Sequence, residues 1–154
     1  MPVSQSHLVV KRSTIPAAGK GLFTRKFIAK GTRIVEYTGK VTTWKDVNHD
    51  DGRNVYIYYL KRYHVIDARR HTKVLARYAN DANGLVKIKG IRNNCVYVTD
   101  GLRVFIEAAK DIPPGTEILV DYGKEYWQVI RQNTRLDKIA SKQLLKQRQG
   151  AAKK

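Results

Sequence analysis

The chain alternates between short apolar runs and turn-forming residues, and this alternation limits the folds open to it. Runs rich in aliphatic, β-branched and aromatic residues are typical of strands; they cover residues 8–10, 33–37, 55–60, 64–67, 96–99, 102–108 and 117–121. Breakers at 16–19, 50–52 and 113–115 lie between them. Long helices do not alternate with the runs. The pattern therefore favours a mainly β fold over a doubly wound α/β fold.

From about residue 124 the apolar spacing changes to that of an amphipathic helix. Apolar residues recur at three- and four-residue steps and end before a glycine; they are Trp127, Ile130, Leu136, Ile139, Ala140 and Leu144, before Gly150. We therefore predict a folded body over residues 1–127. A basic C-terminal helix, ending in a short disordered tail, is predicted to occupy residues 128–154 and to pack on or extend from the body.

The charge of the chain is strongly unbalanced. Thirty lysines and arginines face 13 acids, which gives a net charge of +17. Residues 128–154 alone carry eight basic residues and one acid, Asp137. Such a charge favours a polyanionic partner such as nucleic acid. The alternative is a solvated basic surface that only aids solubility.

The cysteine and histidine content limits other site chemistries. A single cysteine, Cys95, excludes an internal disulfide, and four scattered histidines assemble no structural zinc site, so we expect no metal. The sequence shows neither a run of about 18 apolar residues nor the apolar stretch of a signal peptide. We therefore expect an intracellular protein with no membrane partner, and the oligomeric state stays open.

One pattern occurs twice in the chain. Residues 28–39 read I-A-K-G-T-R-I-V-E-Y-T-G, and residues 112–123 read I-P-P-G-T-E-I-L-V-D-Y-G. Each is a glycine turn, a short strand, and an acid followed by tyrosine near a glycine. Tyr37 and Tyr122 are thus predicted to lie alike at strand ends, beside glycines that let a ligand or another chain approach closely.

Three further motifs are ambiguous when each is taken alone. G-K-G-L-F at 19–23 could offer backbone amides to a ligand, but a plain turn is favoured because the context of a dinucleotide site is missing. A-R-Y-A-N-D at 76–81 and N-N-C-V-Y at 93–97 are also more typical of turns, the second leading into a strand. The order of the three motifs along the chain is more informative than any one of them.

The motifs in this order resemble those of the SET-domain protein lysine methyltransferases. Three further segments belong to the same series: G-T-R-I-V-E-Y-T-G, V-I-D-A and I-P-P-G-T-E-I-L-V-D-Y-G-K-E-Y-W. The resemblance covers roughly residues 8–127. It implies a SET-domain β-fold of several small sheets, in which the asparagine and tyrosine segments form a pseudoknot. It also implies methyl transfer from S-adenosylmethionine to a lysine of a protein substrate, with S-adenosylhomocysteine as the product.

The resemblance assigns roles residue by residue. Tyr122 matches the active-site tyrosine, Tyr37 lines the lysine channel, and Tyr97 joins them as a catalytic-site candidate. The implied cofactor-binding residues are Lys20, Gly21, Leu22, Arg77, Tyr78, Asn80, Asp81, Tyr122 and Trp127. Among these, the turn at 20–22 acts through its backbone, and Trp127 lies where the C-terminal segment closes over the site. Tyr122 needs no ionised phenol, since its oxygen can orient the amine and accept weak C–H hydrogen bonds from the methyl group.

The sequence departs from the family pattern in three places. Asp81 stands where the family has histidine, and an insertion at 82–92 precedes Asn94 and Cys95. Zinc-binding cysteine flanks are absent, and we expect the C-terminal helix to close the site instead. Val120 replaces an aromatic residue two positions before Tyr122, so Tyr97 is expected to fill the channel and restrict the product to monomethyl-lysine.

Charge bears on the substrate and on one alternative function. A +17 enzyme should repel a free basic tail, so a histone, a histone-like protein or another protein already bound to nucleic acid is the expected substrate. The protein would be cytoplasmic in a bacterium and nuclear in a eukaryote. Asp81 and the charge keep open an alternative: a non-catalytic nucleic-acid or chromatin-binding module on a degenerate SET scaffold.

Overall fold

A computed structural model describes residues 3–50, 54–83 and 88–123, together with the single positions 135, 139, 142 and 143. These residues form nine strands: β1 (Leu8–Arg12), β2 (Lys20–Thr24), β3 (Arg33–Glu36), β4 (Lys40–Thr42), β5 (Ile57–Lys61), β6 (His64–Asp67), β7 (Cys95–Asp100), β8 (Arg103–Ala108) and β9 (Glu117–Ile118). Short 3-10 turns span Gln5–His7 and Leu75–Tyr78.

The strands are arranged in small antiparallel sheets. The three sheets have three strands each, in the orders β1-β2-β9, β3-β8-β7 and β4-β6-β5. Three pairings, β1 with β2, β5 with β6 and β7 with β8, join successive strands, whereas β9 returns across most of the chain to pair with β2. The predicted mainly β fold of several small sheets is confirmed.

Two local expectations were wrong. The glycine motif at 19–23 is largely a strand, because β2 is central in its sheet, with Leu22 opposite both Val10 and Ile118. The predicted strand at 117–121 is regular only over Glu117–Ile118. After Ile118 the backbone makes isolated bridges to other segments instead of continuing the sheet.

One apolar core is shared by all three sheets. Leu22 and Ile118 from the first sheet, Ile34 and Ile106 from the second, and Ile66 from the third belong to the same cluster of buried side chains. Burial of these aliphatic side chains is the main stabilising contribution to such a fold. Because the core joins the sheets, it fixes the positions of the loops that leave them.

The segment that leads to Tyr122 is held by two distant parts of the chain. Leu119 forms a parallel bridge with Asn80, and Val120 forms one with Cys95. The buried Asn94 side chain donates to the Glu117 carbonyl and accepts from the Leu119 amide, both at 2.9 Å. The asparagine and tyrosine segments that the resemblance places together therefore do meet.

The predicted C-terminal helix lies outside the described residues, except for four isolated positions, so it stays a prediction. The same holds for the boundary between the body and the tail. Within the described parts of the chain, no helix is long and apolar enough to cross a membrane.

Candidate active site

Four tyrosine rings from four segments meet beside the core. Tyr37 follows β3, Tyr58 lies on β5, Tyr97 lies on β7, and Tyr122 follows β9. Tyr97 contacts each of the others, with ring centroids 6.2 Å from Tyr37, 5.1 Å from Tyr58 and 6.3 Å from Tyr122. The Tyr97 and Tyr122 rings are stacked at 25°, whereas Tyr37 meets Tyr97 edge to face at 85°. We call this set the tyrosine cluster.

Tyr122 is fixed by the segment 79–81 through hydrogen bonds at both its backbone and its phenol. Its hydroxyl donates to the Ala79 carbonyl, and its amide donates to Asp81 Oδ2 at 2.9 Å. Two residues earlier, the Val120 amide donates to the Asn80 carbonyl at 2.8 Å. These bonds fix the position of the phenol oxygen relative to the backbone of residues 79–81.

Asp81 is buried and its carboxylate is directed at Tyr122 and at the insertion. Besides the Tyr122 amide, it accepts from Asn93 Nδ2 and from the Asn83 amide, both at 2.8 Å. Asn93 Oδ1 in turn accepts from the Ala82 amide at 2.8 Å. The aspartate that replaces the family's histidine thus connects both ends of the insertion to the backbone of the candidate catalytic tyrosine.

A second buried carboxylate, Glu117, supports the other side of the site. It accepts from the Ser13 hydroxyl at 2.7 Å and from the amide and hydroxyl of Thr14 at 2.9 and 2.6 Å. Asn80 Nδ2 adds a longer bond at 3.4 Å. A Cβ placed on Gly21 would collide with this carboxylate, so a larger residue there would displace the Glu117 side chain. Glu117 therefore links the turn before β2 to the asparagine segment.

The predicted cofactor residues Lys20 and Asn80 are in direct contact although 60 positions separate them. Asn80 Nδ2 donates to the Lys20 carbonyl at 2.9 Å. Leu22, by contrast, has a wholly buried side chain in the core, which leaves only its backbone for a ligand. Trp127 lies outside the described residues, so its predicted role is untested.

The side chains of Arg77 and Tyr78 make hydrogen bonds to the backbone of residues 68–72. The Arg77 guanidinium donates to the Ala68 and Arg69 carbonyls at 2.9 and 2.8 Å and lies 4.0 Å from the Tyr56 ring centroid. Tyr78 donates its hydroxyl to the Thr72 carbonyl at 2.6 Å. These contacts brace the 3-10 turn that precedes Asn80.

The Tyr56 backbone connects this brace to the cluster. Tyr37 donates its hydroxyl to the Tyr56 carbonyl at 2.7 Å, and Tyr56 is the residue on which Arg77 stacks. The buried Tyr37 ring is thereby held against Tyr58 at a centroid distance of 5.9 Å.

Burial sets the protonation of two groups at the site. Desolvation raises the pKa of Tyr58 above its ordinary value, so this phenol stays neutral at physiological pH. Burial raises the pKa of Cys95 to about 12, so its thiol remains protonated and is not a nucleophile. Tyr58 therefore contributes a neutral phenol to the cluster, and the four rings contribute aromatic faces.

The structure brings together Tyr37, Tyr97 and Tyr122 as a group, and it adds Tyr58, which the sequence analysis missed. The run V-Y-I-Y-Y-L at 55–60 contains the only available signal, since strand alternation places Tyr58 and Tyr59 on opposite faces. Pattern alone does not say which face meets the core. Tyr58 packs against the core, and Tyr59 is exposed.

Comparison with known families agrees with this arrangement. The family model described as SET domain matches residues 19–123, which is more than half of the chain. The match begins at the glycine motif and ends at the glycine after Tyr122. The predicted resemblance is confirmed.

Two curated proteins are similar over most of this chain. The histone-lysine N-methyltransferase EZH2 of Chaetomium thermophilum is 29% identical over 134 residues, which are 77% of this chain and 8% of that protein. The N-lysine methyltransferase KMT5A of Xenopus tropicalis is 29% identical over 127 residues, 74% of this chain and 36% of that protein. The chain thus spans only a minor part of each relative's length.

A solved structure has a similar fold. The methyltransferase domain of human PR domain-containing protein 2 aligns with a TM-score of 0.57 and 25% sequence identity. The alignment covers 76% of this chain and 77% of that domain.

Proposed function

Because the chain belongs to the SET-domain family of protein lysine methyltransferases, we propose that it is itself an S-adenosylmethionine-dependent protein-lysine N-methyltransferase. The stacking of Tyr97 on Tyr122 carries the proposal. This stacking places the two rings side by side at the end of the segment 117–122, which is hydrogen-bonded to Asn80 and Asn94. Together with Tyr37 and Tyr58 they supply aromatic walls for a lysine side chain.

The residues near β2 fit the cofactor in one observable respect. The Asn80–Lys20 hydrogen bond joins the two segments that the family uses for the cofactor, and the Glu117 carboxylate packs against Gly21 beside it. Backbone amides and carbonyls beside this contact would suit the carboxylate and ammonium ends of a methionine group. Lys20, Gly21 and Asn80 would hold that end. When bound, S-adenosylmethionine supplies an electrophilic methyl group on a positively charged sulfur.

The chain's own residues would prepare the lysine for an in-line attack on that methyl group. The aromatic walls desolvate the ammonium and lower its pKa, which favours loss of a proton to solvent before transfer. Tyr122 donates its hydroxyl to the Ala79 carbonyl, which fixes the position of the phenol oxygen that would orient the amine. Alignment and exclusion of water account for much of the acceleration in such a displacement.

We assign the product as monomethyl-lysine. Val120, at the position that carries an aromatic residue in many relatives, is a wholly buried aliphatic side chain and adds no further ring to the cluster. Tyr97 lies at the centre of the cluster instead. Its phenol occupies space that a methylated amine would need for a second transfer.

We assign the substrate to proteins associated with nucleic acid, such as a histone or a histone-like protein. The net charge of +17 supports this assignment because a basic enzyme is attracted to the nucleic acid to which the substrate protein is bound. The predicted basic segment 128–154 would contribute a sequence-independent contact with phosphates, in addition to closing the site.

Calorimetric titration of S-adenosylmethionine into the protein tests the proposal. A methyltransferase binds the cofactor with saturable heat, and Asn80→Ala weakens the binding because it removes the contact to Lys20. A matched control is Asn83→Ala, whose side chain is exposed. Absence of cofactor binding by the native chain would favour the binding-module alternative, which has no use for the cofactor.

A further inference from the structure

A second group of aromatic residues lies outside the tyrosine cluster, at one end of the sheet β4-β6-β5. Trp44, Tyr59 and Tyr63 are 47%, 53% and 73% exposed. The Trp44 ring lies 5.3 Å from Tyr59 and 4.3 Å from His49, centroid to centroid. Large aromatic side chains that remain exposed in contact with one another are uncommon unless they bind something.

The position of this surface is determined by the backbone. The Trp44 amide donates to the Arg62 carbonyl at 2.9 Å, which ties the segment after β4 to the tip of the β5–β6 hairpin. His49 bonds through Nε2 to the Trp44 carbonyl at 2.9 Å. The backbone that carries Trp44 is therefore fixed by hydrogen bonds, so binding of a ligand there would order little further backbone.

Basic residues lie on the same strands and turns as the rings. Four exposed basic residues lie on β4, on β5 and beside them: Lys40, Lys45, Lys61 and Arg62. The Arg62 guanidinium lies 5.6 Å from the Tyr63 ring centroid. Two described acids, Asp46 and Asp50, lie between β4 and β5, and the second is paired with Arg69 at 2.9 Å. The local balance is positive.

We propose that this surface, formed by Trp44, Tyr59, Arg62 and Tyr63 with Lys45 and Lys61, binds single-stranded nucleic acid. Exposed rings offer faces on which bases stack, and the lysines and arginines are placed for the phosphates. A duplex would bury its bases and leave the rings unused. A peptide partner would need acidic residues opposite the cations. The inference does not depend on methyl transfer, and it is separate from the basic segment 128–154.

Tryptophan fluorescence tests the proposal directly, because the chain has only two tryptophans, Trp44 and Trp127. The full chain carrying Trp127→Phe reports on Trp44 alone. Titration with an oligothymidine about 12 nucleotides long should quench this emission through stacking. An abasic oligonucleotide of the same length, which has the phosphates without the bases, should bind more weakly and leave the emission nearly unchanged.

Binding measured by anisotropy of a labelled oligonucleotide provides a second readout in the native background. Trp44→Ala and Tyr59→Ala should each weaken binding of oligothymidine by about tenfold. Phe27→Ala removes a ring that is 57% exposed elsewhere on the body and should not change the affinity. Thermal melting verifies that each variant is folded.

Three outcomes would overturn the proposal. The first is unchanged Trp44 emission at saturating oligothymidine, and the second is equal affinity for abasic and base-containing strands. The third is preferential capture of an acidic peptide over the oligonucleotide, which would assign the surface to a protein partner. A loss of binding by Phe27→Ala equal to that by Trp44→Ala would likewise remove the assignment to this surface.

Discussion

The Asp81 carboxylate accepts the backbone amide of Tyr122 at 2.9 Å, so the residue that replaces the family's histidine holds the candidate catalytic tyrosine by its main chain. The same carboxylate accepts from Asn93 and Asn83. The aspartate at position 81 thus provides hydrogen-bond acceptors that hold the backbone next to the tyrosine. We propose that Asp81 influences turnover through its hydrogen bond to Tyr122.

Asp81→Ala should lower turnover more than it lowers cofactor affinity. The variant leaves the Tyr122 and Asn93 donors without their acceptor, at a cost of about 2 kcal/mol in stability. Steady-state kinetics combined with calorimetry separates the two effects. Asp121→Ala is the matched control, since that carboxylate is exposed and bonds locally to the Gly123 amide. Equal losses in both variants would contradict the assigned role of Asp81.

Glu117→Gln should weaken cofactor binding together with stability. The glutamine keeps the shape but exchanges one acceptor oxygen for a donor that faces the Ser13, Thr14 and Asn80 donors. We expect a loss of about 2 kcal/mol in unfolding free energy. Denaturant titration and calorimetry measure the two quantities.

Gly21→Ala provides an independent test of the same contact. Its Cβ would collide with the Glu117 carboxylate, so the variant should reproduce the defect of Glu117→Gln. The double variant should lose less than the sum of the single losses, because both act on one interaction. Strict additivity would show that Gly21 and Glu117 act separately. Gly31→Ala, which has open space around its Cβ, reports on backbone strain alone.

Tyr97→Phe should shift the product from monomethyl-lysine towards dimethyl-lysine, since removal of the hydroxyl frees space in the cluster. Tyr58→Phe is expected to act in the same direction, because Tyr58 lies 5.1 Å from Tyr97. Mass spectrometry of a methylated peptide measures the product ratio. Tyr63→Phe is the control, as that ring is mostly exposed. An unchanged ratio in both cluster variants would remove Tyr97 from the lysine channel.

Truncation after about residue 132 should weaken binding to duplex DNA or structured RNA and flatten its salt dependence, because the segment 128–154 carries eight basic residues and one acid. If that segment also closes the site, cofactor affinity falls as well. Charge reversal at Lys142, Lys146 and Arg148 should impair nucleic-acid binding alone. Undetectable binding by the native chain at low salt would mean that the basic segment is only a solvated surface.

Local patterns predicted the strands whose partners are close in sequence. The runs at 64–67 and 102–108 appear nearly unchanged as β6 and β8, since both belong to hairpins. Strand β2 was missed because glycine residues usually disfavour strands. A glycine does occur in a strand where another group packs closely against the backbone, as the Glu117 carboxylate does at Gly21. Leu119 and Val120 left the predicted strand because they pair with Asn80 and Cys95, a non-local choice that no window of sequence reveals.

Some residues of the candidate site were predicted from the sequence and others were not. Tyr37, Tyr97 and Tyr122 were found through motif order, and the structure brings their rings together. Tyr58 was missed, since the sequence does not show which face of β5 meets the core. The role of Asp81 could not be read from its position either, because it depends on two distant donors, Tyr122 and Asn93.

The central claim, lysine methylation that depends on Tyr122, is tested most directly by methyl-labelled S-adenosylmethionine in a cell lysate, with labelled proteins identified by mass spectrometry. The native protein should label lysine side chains of nucleic-acid-associated proteins. Tyr122→Phe should bind the cofactor with near-native affinity and melt at a near-native temperature, while turnover falls by about 10²–10⁴-fold. Native-like labelling by Tyr122→Phe, or cofactor binding with no lysine labelling by the native protein, would contradict the account.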